Sequence, residues 1–261
     1  MRAPVKRGLA LLAGARAASG VTILIYHRVG GGTPDERDVS AEQFRRHLDV
    51  LARHHVVSLD EALDGLAACD WSPRVVLTFD DGFADVHTTA LPLLAERRLP
   101  FTLYLATAYL GGLMHWDGST ARAPGPALSW TQAAELAGSG LCTIGNHTHS
   151  HARPEALTEA ELDRCTAEIE GHLGVTPRHF AYTWGVAVTA MEPALRARFR
   201  SAATGELGRN LPGVDPMRLR RVPVRRTDPL AFFEAKLRGG LGAERAYARM
   251  VSAAKGVGLR A

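Results

Sequence analysis

The sequence predicts an α/β protein built as one closed or nearly closed (β/α) barrel. Three observations carry that expectation. Seven short apolar, β-rich runs recur along the 261 residues, helix-length segments with 3.6-residue apolar spacing separate most of them, and little sequence remains for a second core. Strands that alternate with helices imply a parallel sheet joined by right-handed crossovers. Composition supports a globular chain: 46% apolar and 22% charged residues exclude a disordered chain, a fibre and a coiled coil. Lys and Arg number 31 against 27 Asp and Glu, a net +4. That surplus is too small to argue for a nucleic-acid partner and suits an anionic substrate, a phosphate-bearing carrier or a membrane surface equally. Cys69, Cys142 and Cys165 have no C-x-x-C spacing, so no disulfide framework follows and a reducing compartment is favoured.

Along the chain, Arg2, Lys6 and Arg7 precede a short apolar stretch at 8–14, and Ala15-Arg16-Ala17 resembles a signal-cleavage site. The chain then enters the first strand at once, so cleavage would release a core strand as the new terminus. Residues 1–20 therefore read as a basic amphipathic helix on a membrane face or on the protein itself, and residues 21–261 as the barrel domain. This reading expects a location in the cytoplasm or at the inner membrane face, with secretion or the periplasm as the alternative. No apolar run reaches the roughly 18 residues of a membrane span. The expected strands lie at 21–26, 74–79, 101–105, 141–145, 180–182, 201–204 and 221–224. Ser40 opens a helix with Phe44, Leu48 and Leu51 on one face. Ser58 opens another, with Glu61 at the capping-box position. Later helices are expected near Phe83, at Ser129-Trp130, at Thr158 with Glu161 three residues on, and near Val186. The Gly/Pro-rich loop at 111–125 carries Met114-His115-Trp116-Asp117 and has the length of a functional or mobile loop.

Barrels of this kind assemble their sites at the carboxyl ends of the strands. His27 follows the first run, Asp80-Asp81-Gly82 the second, Asn146-His147-Thr148-His149-Ser150-His151 the fourth, and Thr183-Trp184-Gly185 the fifth. Asp-Asp-Gly by itself is also ordinary turn chemistry, and a His pair four apart is often a solvated helix face. Together they read differently. Two adjacent buried aspartates stay ionised only beside a cation. On a helical turn His147 and His151 would face one point while His149 points away. Asp81, His147 and His151 then form a two-histidine, one-carboxylate set with open positions, suited to one divalent ion: Zn²⁺ first, with Co²⁺, Mn²⁺ or Fe²⁺ as alternatives.

Thr78-Phe79-Asp80-Asp81-Gly82 and His147-Thr148-His149-Ser150-His151 resemble the first two motifs, T-F-D-D-G and H-[ST]-x-x-H, of the polysaccharide deacetylases, carbohydrate esterase family 4. The resemblance extends roughly from Ile23 to Val224 and implies a distorted (β/α)₇ barrel. It implies that Asp80 is the catalytic base and that Asp81, His147 and His151 hold the metal. Phe180-Ala181-Tyr182-Thr183-Trp184-Gly185 stands where the family has F-R-x-P-[YW]-G. Ala181 thus replaces the arginine that partners the base, and Trp184 takes the position whose backbone N–H helps form the oxyanion hole. No histidine follows His179 to supply the usual late catalytic acid. This pattern is similar to the circularly permuted branch that deacetylates poly-N-acetylglucosamine, where the acid comes from the first strand, here Tyr26-His27. Arg221 is the candidate replacement for the arginine, with Arg220 and Arg225 as rivals.

These residues make a hydrolase of N-acetylhexosamine units in a glycan or glycan precursor the leading expectation. A metal-bound water attacks, Asp80 takes its proton, the Trp184 N–H holds the oxyanion and His27 protonates the leaving amine. Trp184, Tyr182 and Trp116 offer faces for a sugar ring, and Asn146 and Thr148 are expected to orient the ligands. Two other readings stay open: a deacylase or deformylase of a small or lipid-linked amino sugar, and a catalytically impaired carbohydrate-binding homologue.

Overall fold

The computed structural model describes residues 2–11, 19–116, 124–238 and 241–258. In chain order its first half runs α1 (Arg2–Ala10), β1 (Val21–Tyr26), α2 (Ala41–Leu51), α3 (Leu59–Ala67), β2 (Arg74–Phe79), α4 (Leu91–Glu96) and β3 (Phe101–Leu105). The second half runs α5 (Trp130–Gly138), β4 (Cys142–Asn146), α6 (Glu159–Leu173), β5 (His179–Ala181), α7 (Glu192–Arg198), β6 (Ser201–Leu207), β7 (Leu219–Pro223), α8 (Leu230–Lys236) and α9 (Gly242–Gly258). Seven of the described strands close a parallel barrel in the order β1-β7-β6-β5-β4-β3-β2. Each expected run lies within a few residues of an observed strand. β1 is buried along its whole length, as a parallel strand covered on both sides must be.

Local chemistry sets the helix starts. The Ser40, Ser58 and Thr158 hydroxyls accept from the backbone N–H groups of Gln43, Glu61 and Glu161, and Ser129 forms a full capping box with Gln132. In α2, Phe44, Leu48 and Leu51 are wholly buried, each contributing about 1.5–3 kcal/mol of apolar transfer. Two helices begin later than the periodicity suggests. After Phe83 the chain makes a π-turn at Val86–Ala90 before α4, and after Val186 it waits until Glu192. In both α4 and α7 a proline, Pro92 or Pro193, lies in the first turn, where its missing N–H is harmless and its fixed φ starts the helix.

The chain divides into two compact units, Gly20–Arg226 and Met1–Ser19 with Thr227–Ala261. Residues 227–261, expected in the barrel domain, thus fall outside the barrel unit. In the second unit α1 packs on α8 and α9. Of its basic residues Arg2 and Arg7 are exposed and Lys6 turns inward, where its Nζ donates to Asp228 Oδ1 at 2.7 Å and to Thr227 Oγ1 at 2.8 Å. Lys236 Nζ meets Asp228 Oδ2 at 2.6 Å and Glu244 Oε2 at 3.2 Å, and all four charged side chains are buried. Such a group holds together only as a complete set, since removing one charge strands its partner. No described helix is long and apolar enough to cross a membrane. Ala15-Arg16-Ala17 and Asp117 lie outside the described residues.

Candidate active site

Strand register brings the chemistry together. β1 and β2 pair in step from Val21–Arg74 to Tyr26–Phe79, so His27 and Asp80 leave the barrel side by side, and the Asp80 N–H donates to the Tyr26 carbonyl at 3.0 Å. Leu105 pairs with Asn146, and the His147 N–H donates to the Leu105 carbonyl at 3.0 Å. The Ala106 N–H closes the ring by donating to the Asp81 carbonyl at 3.0 Å.

Asp80 is buried and clamped. Arg221, from β7, donates through Nη1 to Asp80 Oδ1 at 2.7 Å and through Nη2 to Oδ2 at 2.8 Å. The guanidinium is itself held by the Thr204 carbonyl at 2.9 Å and the Thr78 hydroxyl at 3.2 Å. Burial pushes the Asp80 carboxyl up, but the Arg221 charge, the His147 charge and the fork of hydrogen bonds outweigh it and hold it below the ordinary value. Arg221 therefore occupies the partner position that Ala181 vacates. Of its rivals, Arg220 points to Glu206 at the surface, whereas Arg225 lines the cleft.

Asp81 lies beside the two histidines. Its Oδ1 is 3.5 Å from His147 Nε2 and 3.5 Å from His151 Nε2. Those separations are long for hydrogen bonds and match the spacing of co-ligands, since donors about 2.0–2.2 Å from a tetrahedral ion stand about 3.4 Å apart. Asp81 Oδ2 is buried with no hydrogen-bond partner, an orphan that an ion would satisfy. His147 Nδ1 donates to the Ala181 carbonyl at 2.8 Å, which orients the ring with Nε2 toward Asp81. Burial pushes His151 down to about 3, keeping it neutral as a ligand must be. Burial lowers His147 too, but the contact with Asp81 and the Asp80 charge outweigh it and raise that ring. Asp81, His147 and His151 fit one divalent cation.

The ligand loop is not the helical turn expected from the four-residue spacing. Residues 147–151 form no helix, and Thr148 and His151 adopt left-handed φ of 64° and 52°. Asp81 and Trp184 share that conformation, with φ of 79° and 60°. Such backbone costs about 1–3 kcal/mol per residue and persists only where surroundings enforce it. Here the enforcement is visible. Asn146 Oδ1 accepts from the Thr148 N–H at 2.9 Å while its amide donates to the Leu162 carbonyl at 2.9 Å and Thr166 Oγ1 at 3.0 Å. Thr148 Oγ1 accepts from the Ala152 N–H at 3.0 Å. Gly82 completes the Asp80-Asp81 corner at φ 107°, where a Cβ would press Leu105 and Met114 at 3.0 and 3.2 Å. His149 faces away, with Nδ1 2.9 Å from Glu168 and 3.1 Å from Thr107 Oγ1.

The remaining candidates separate. His27 is half-buried beside the aspartates, its Nδ1 without a hydrogen-bond partner, and burial holds it below the ordinary imidazole value against the charges of Asp81 and Asp80. Trp184 is 37% exposed and lines the cleft. Its turn rests on β6, because Gly185 and Gly205 meet so closely that a Cβ on Gly185 would lie 2.8 Å from the Gly205 Cα. Tyr182 does not offer a sugar-stacking face: it is 1% exposed and its ring packs edge-on to Phe180 at 5.2 Å. Trp116 is also buried, stacked 3.8 Å from the His151 ring, so it backs a ligand. Arg37, which the sequence reading missed, lines the cleft as well. The only hint was one basic residue in the loop after the first strand, within an Asp35-Glu36-Arg37-Asp38 run that resembles a solvated turn.

Residues 68–197 match the family model described as Polysaccharide deacetylase. These residues carry a polysaccharide deacetylase domain. Among solved structures, IcaB from Ammonifex degensii is 29% identical, with a TM-score of 0.71 over 85% of this chain and 100% of that one. The Streptococcus pyogenes deacetylase PplD, 19% identical, aligns over 85% of this chain and 100% of its own with a TM-score of 0.71. The BpsB deacetylase domain from Bordetella bronchiseptica, 20% identical, aligns over 78% and 95% with a TM-score of 0.63. The last two share the fold. No curated protein matches the sequence. This polysaccharide deacetylase is an enzyme acting on carbohydrate, and its closed barrel of seven described strands is the fold the motifs implied.

Proposed function

We propose that this deacetylase removes the N-acetyl group from N-acetylhexosamine residues of a glycan or glycan precursor in a metal-dependent hydrolysis. Asp81, His147 and His151 hold one divalent cation, Zn²⁺ first. Bound there, it supplies Lewis acidity that polarises the amide carbonyl and acidifies water. The chain's own groups do the rest. Asp80, kept ionised by Arg221, accepts the proton of the attacking water. The Trp184 N–H, presented by the left-handed turn on Gly205, faces the oxyanion. His27, beside the aspartates, protonates the departing amine. Trp184 is the one expected aromatic left exposed in the cleft of about 350 Å³ to meet a sugar ring.

The observation that carries this reading is the Asp81 oxygen 3.5 Å from two imidazole nitrogens, next to an aspartate locked by a bidentate arginine. The test is acetate release from N-acetylglucosamine oligomers by chelator-treated protein, before and after adding Zn²⁺, Co²⁺ or Mn²⁺, with metal content measured in parallel. Activity that returns with metal supports the proposal. No acetate with any of the three, in protein that takes up no metal, overturns it.

A further inference from the structure

Charge is divided unevenly between the two units. Residues 1–19 and 227–261 carry ten Lys and Arg against three Asp and Glu, whereas residues 20–226 carry 21 against 24. The second unit is therefore +7 and the barrel unit −3, so the chain's +4 arises wholly in the former. Such asymmetry within one chain marks a surface for an anionic partner. Each acid of the second unit is already engaged. Asp228 is shared by Lys6 and Lys236, Glu244 lies 3.2 Å from Lys236, and Glu234 meets Arg238 at 3.4 Å. Among the described residues no ion pair is made by Arg7 on α1 or by Arg245 and Arg249 on α9, and all three are exposed. Exposed apolar side chains stand beside them. Arg7 comes four residues before Leu11, 86% exposed, and Arg249 directly precedes Met250, 51% exposed. Val5, also exposed, adds another to α1. Arginines interleaved with exposed aliphatic side chains suit the headgroup layer of a membrane. A merely solvated helix face mixes acids with its bases, and a nucleic-acid surface has no use for exposed leucine and methionine.

We propose that the second unit docks on an anionic lipid surface through Arg7 on α1 and Arg245 and Arg249 on α9. The first helix then serves both of its expected roles, with Lys6 turned into the protein and Arg7 turned out to lipid. The buried set of Lys6, Asp228, Lys236 and Glu244 holds α1 to α8 and α9, so the basic helices act as one body and lose little freedom on docking. The proposal is independent of which sugar the enzyme turns over.

The full-length protein, kept in chelator so that no ion bridges to phosphate, is sedimented with vesicles of phosphatidylcholine alone and of phosphatidylcholine with about a third phosphatidylglycerol. Each basic residue at such a surface is worth about fivefold in partitioning, so three should favour the anionic vesicles by roughly 10²-fold. The preference should shrink as salt rises. It should collapse in the triple variant Arg7→Gln, Arg245→Gln, Arg249→Gln, with circular dichroism reporting its fold. The double variant Leu11→Ser, Met250→Ser should bind the anionic vesicles more weakly than the wild type, because apolar burial is part of the contact. Absent or equal partitioning of the wild type into the two vesicles overturns the proposal whether or not the variants fold. So does an undiminished preference in the folded triple variant, or full binding by the double variant. A DNA duplex that strips the wild type from anionic vesicles overturns it in favour of nucleic acid.

Discussion

Replacing Arg221 by Met tests the link between the buried ion pair and catalysis. Arg221 is 1% exposed, and the substitution removes both bonds to Asp80 together with those to Thr204 and Thr78. It leaves a buried carboxylate without its counter-charge, a loss worth about 3–5 kcal/mol. In the wild type the Asp80 pKa lies below its ordinary value. The pair therefore stabilises the fold above the unfolded carboxyl pKa, about 4, and that stabilisation fades as pH falls through the lower folded value. Without Arg221, burial is opposed only by the neighbouring imidazoles and the carboxyl titrates higher. Protonation then relieves the variant, so its deficit should be full at neutral pH and shrink on acidification. Urea unfolding of chelated wild type and variant at neutral and mildly acidic pH measures this. The acid limb of the pH–rate profile should also move upward. A deficit of the same size at both pH values, or a loss under about 1 kcal/mol, the scale of an ordinary neutral hydrogen bond, would refute the reasoning.

Three further outcomes are expected. Asp80→Asn should retain the metal and lose turnover, and elemental analysis showing lost metal would reverse the division of labour between the two aspartates. His27→Ala should lower kcat by roughly 10²- to 10⁴-fold, the usual worth of general acid catalysis, and full activity would leave the proton donor elsewhere. Asn146→Ala frees the Thr148 N–H, so metal affinity should fall about 10- to 100-fold in a competition titration, and unchanged affinity would show that the loop holds itself.

The sequence exposed most of the barrel because its strands are short apolar runs separated by capped helices, and the caps at Ser40, Ser58, Ser129 and Thr158 appear where hydroxyl and acidic or amide residues stand three apart. The ligand set was legible for a different reason: acidic and imidazole groups cluster directly after strands. The geometry that unites them was not. A four-residue spacing suggests a helix, and only the Asn146 bracket reveals the left-handed loop instead. Arg221 was a choice among three arginines, because alternation along β7 puts Arg220 and Arg221 on opposite faces without saying which is inward, and Arg225 follows the strand. Tyr182 and Trp116 illustrate the converse limit, since an aromatic beside a site looks the same whether it faces the sugar or braces a ligand. The second unit was not legible because nothing local ties Lys6 to Asp228, 222 residues away, which it shares with Lys236.

The wound loop at 147–151 also has a consequence for tolerance to change. Its awkward dihedrals lean on two small polar side chains, Asn146 and Thr148, rather than on the barrel staves beneath. Trimming either should slacken the bend alone, while the strands below, closed on one another, keep their pairing.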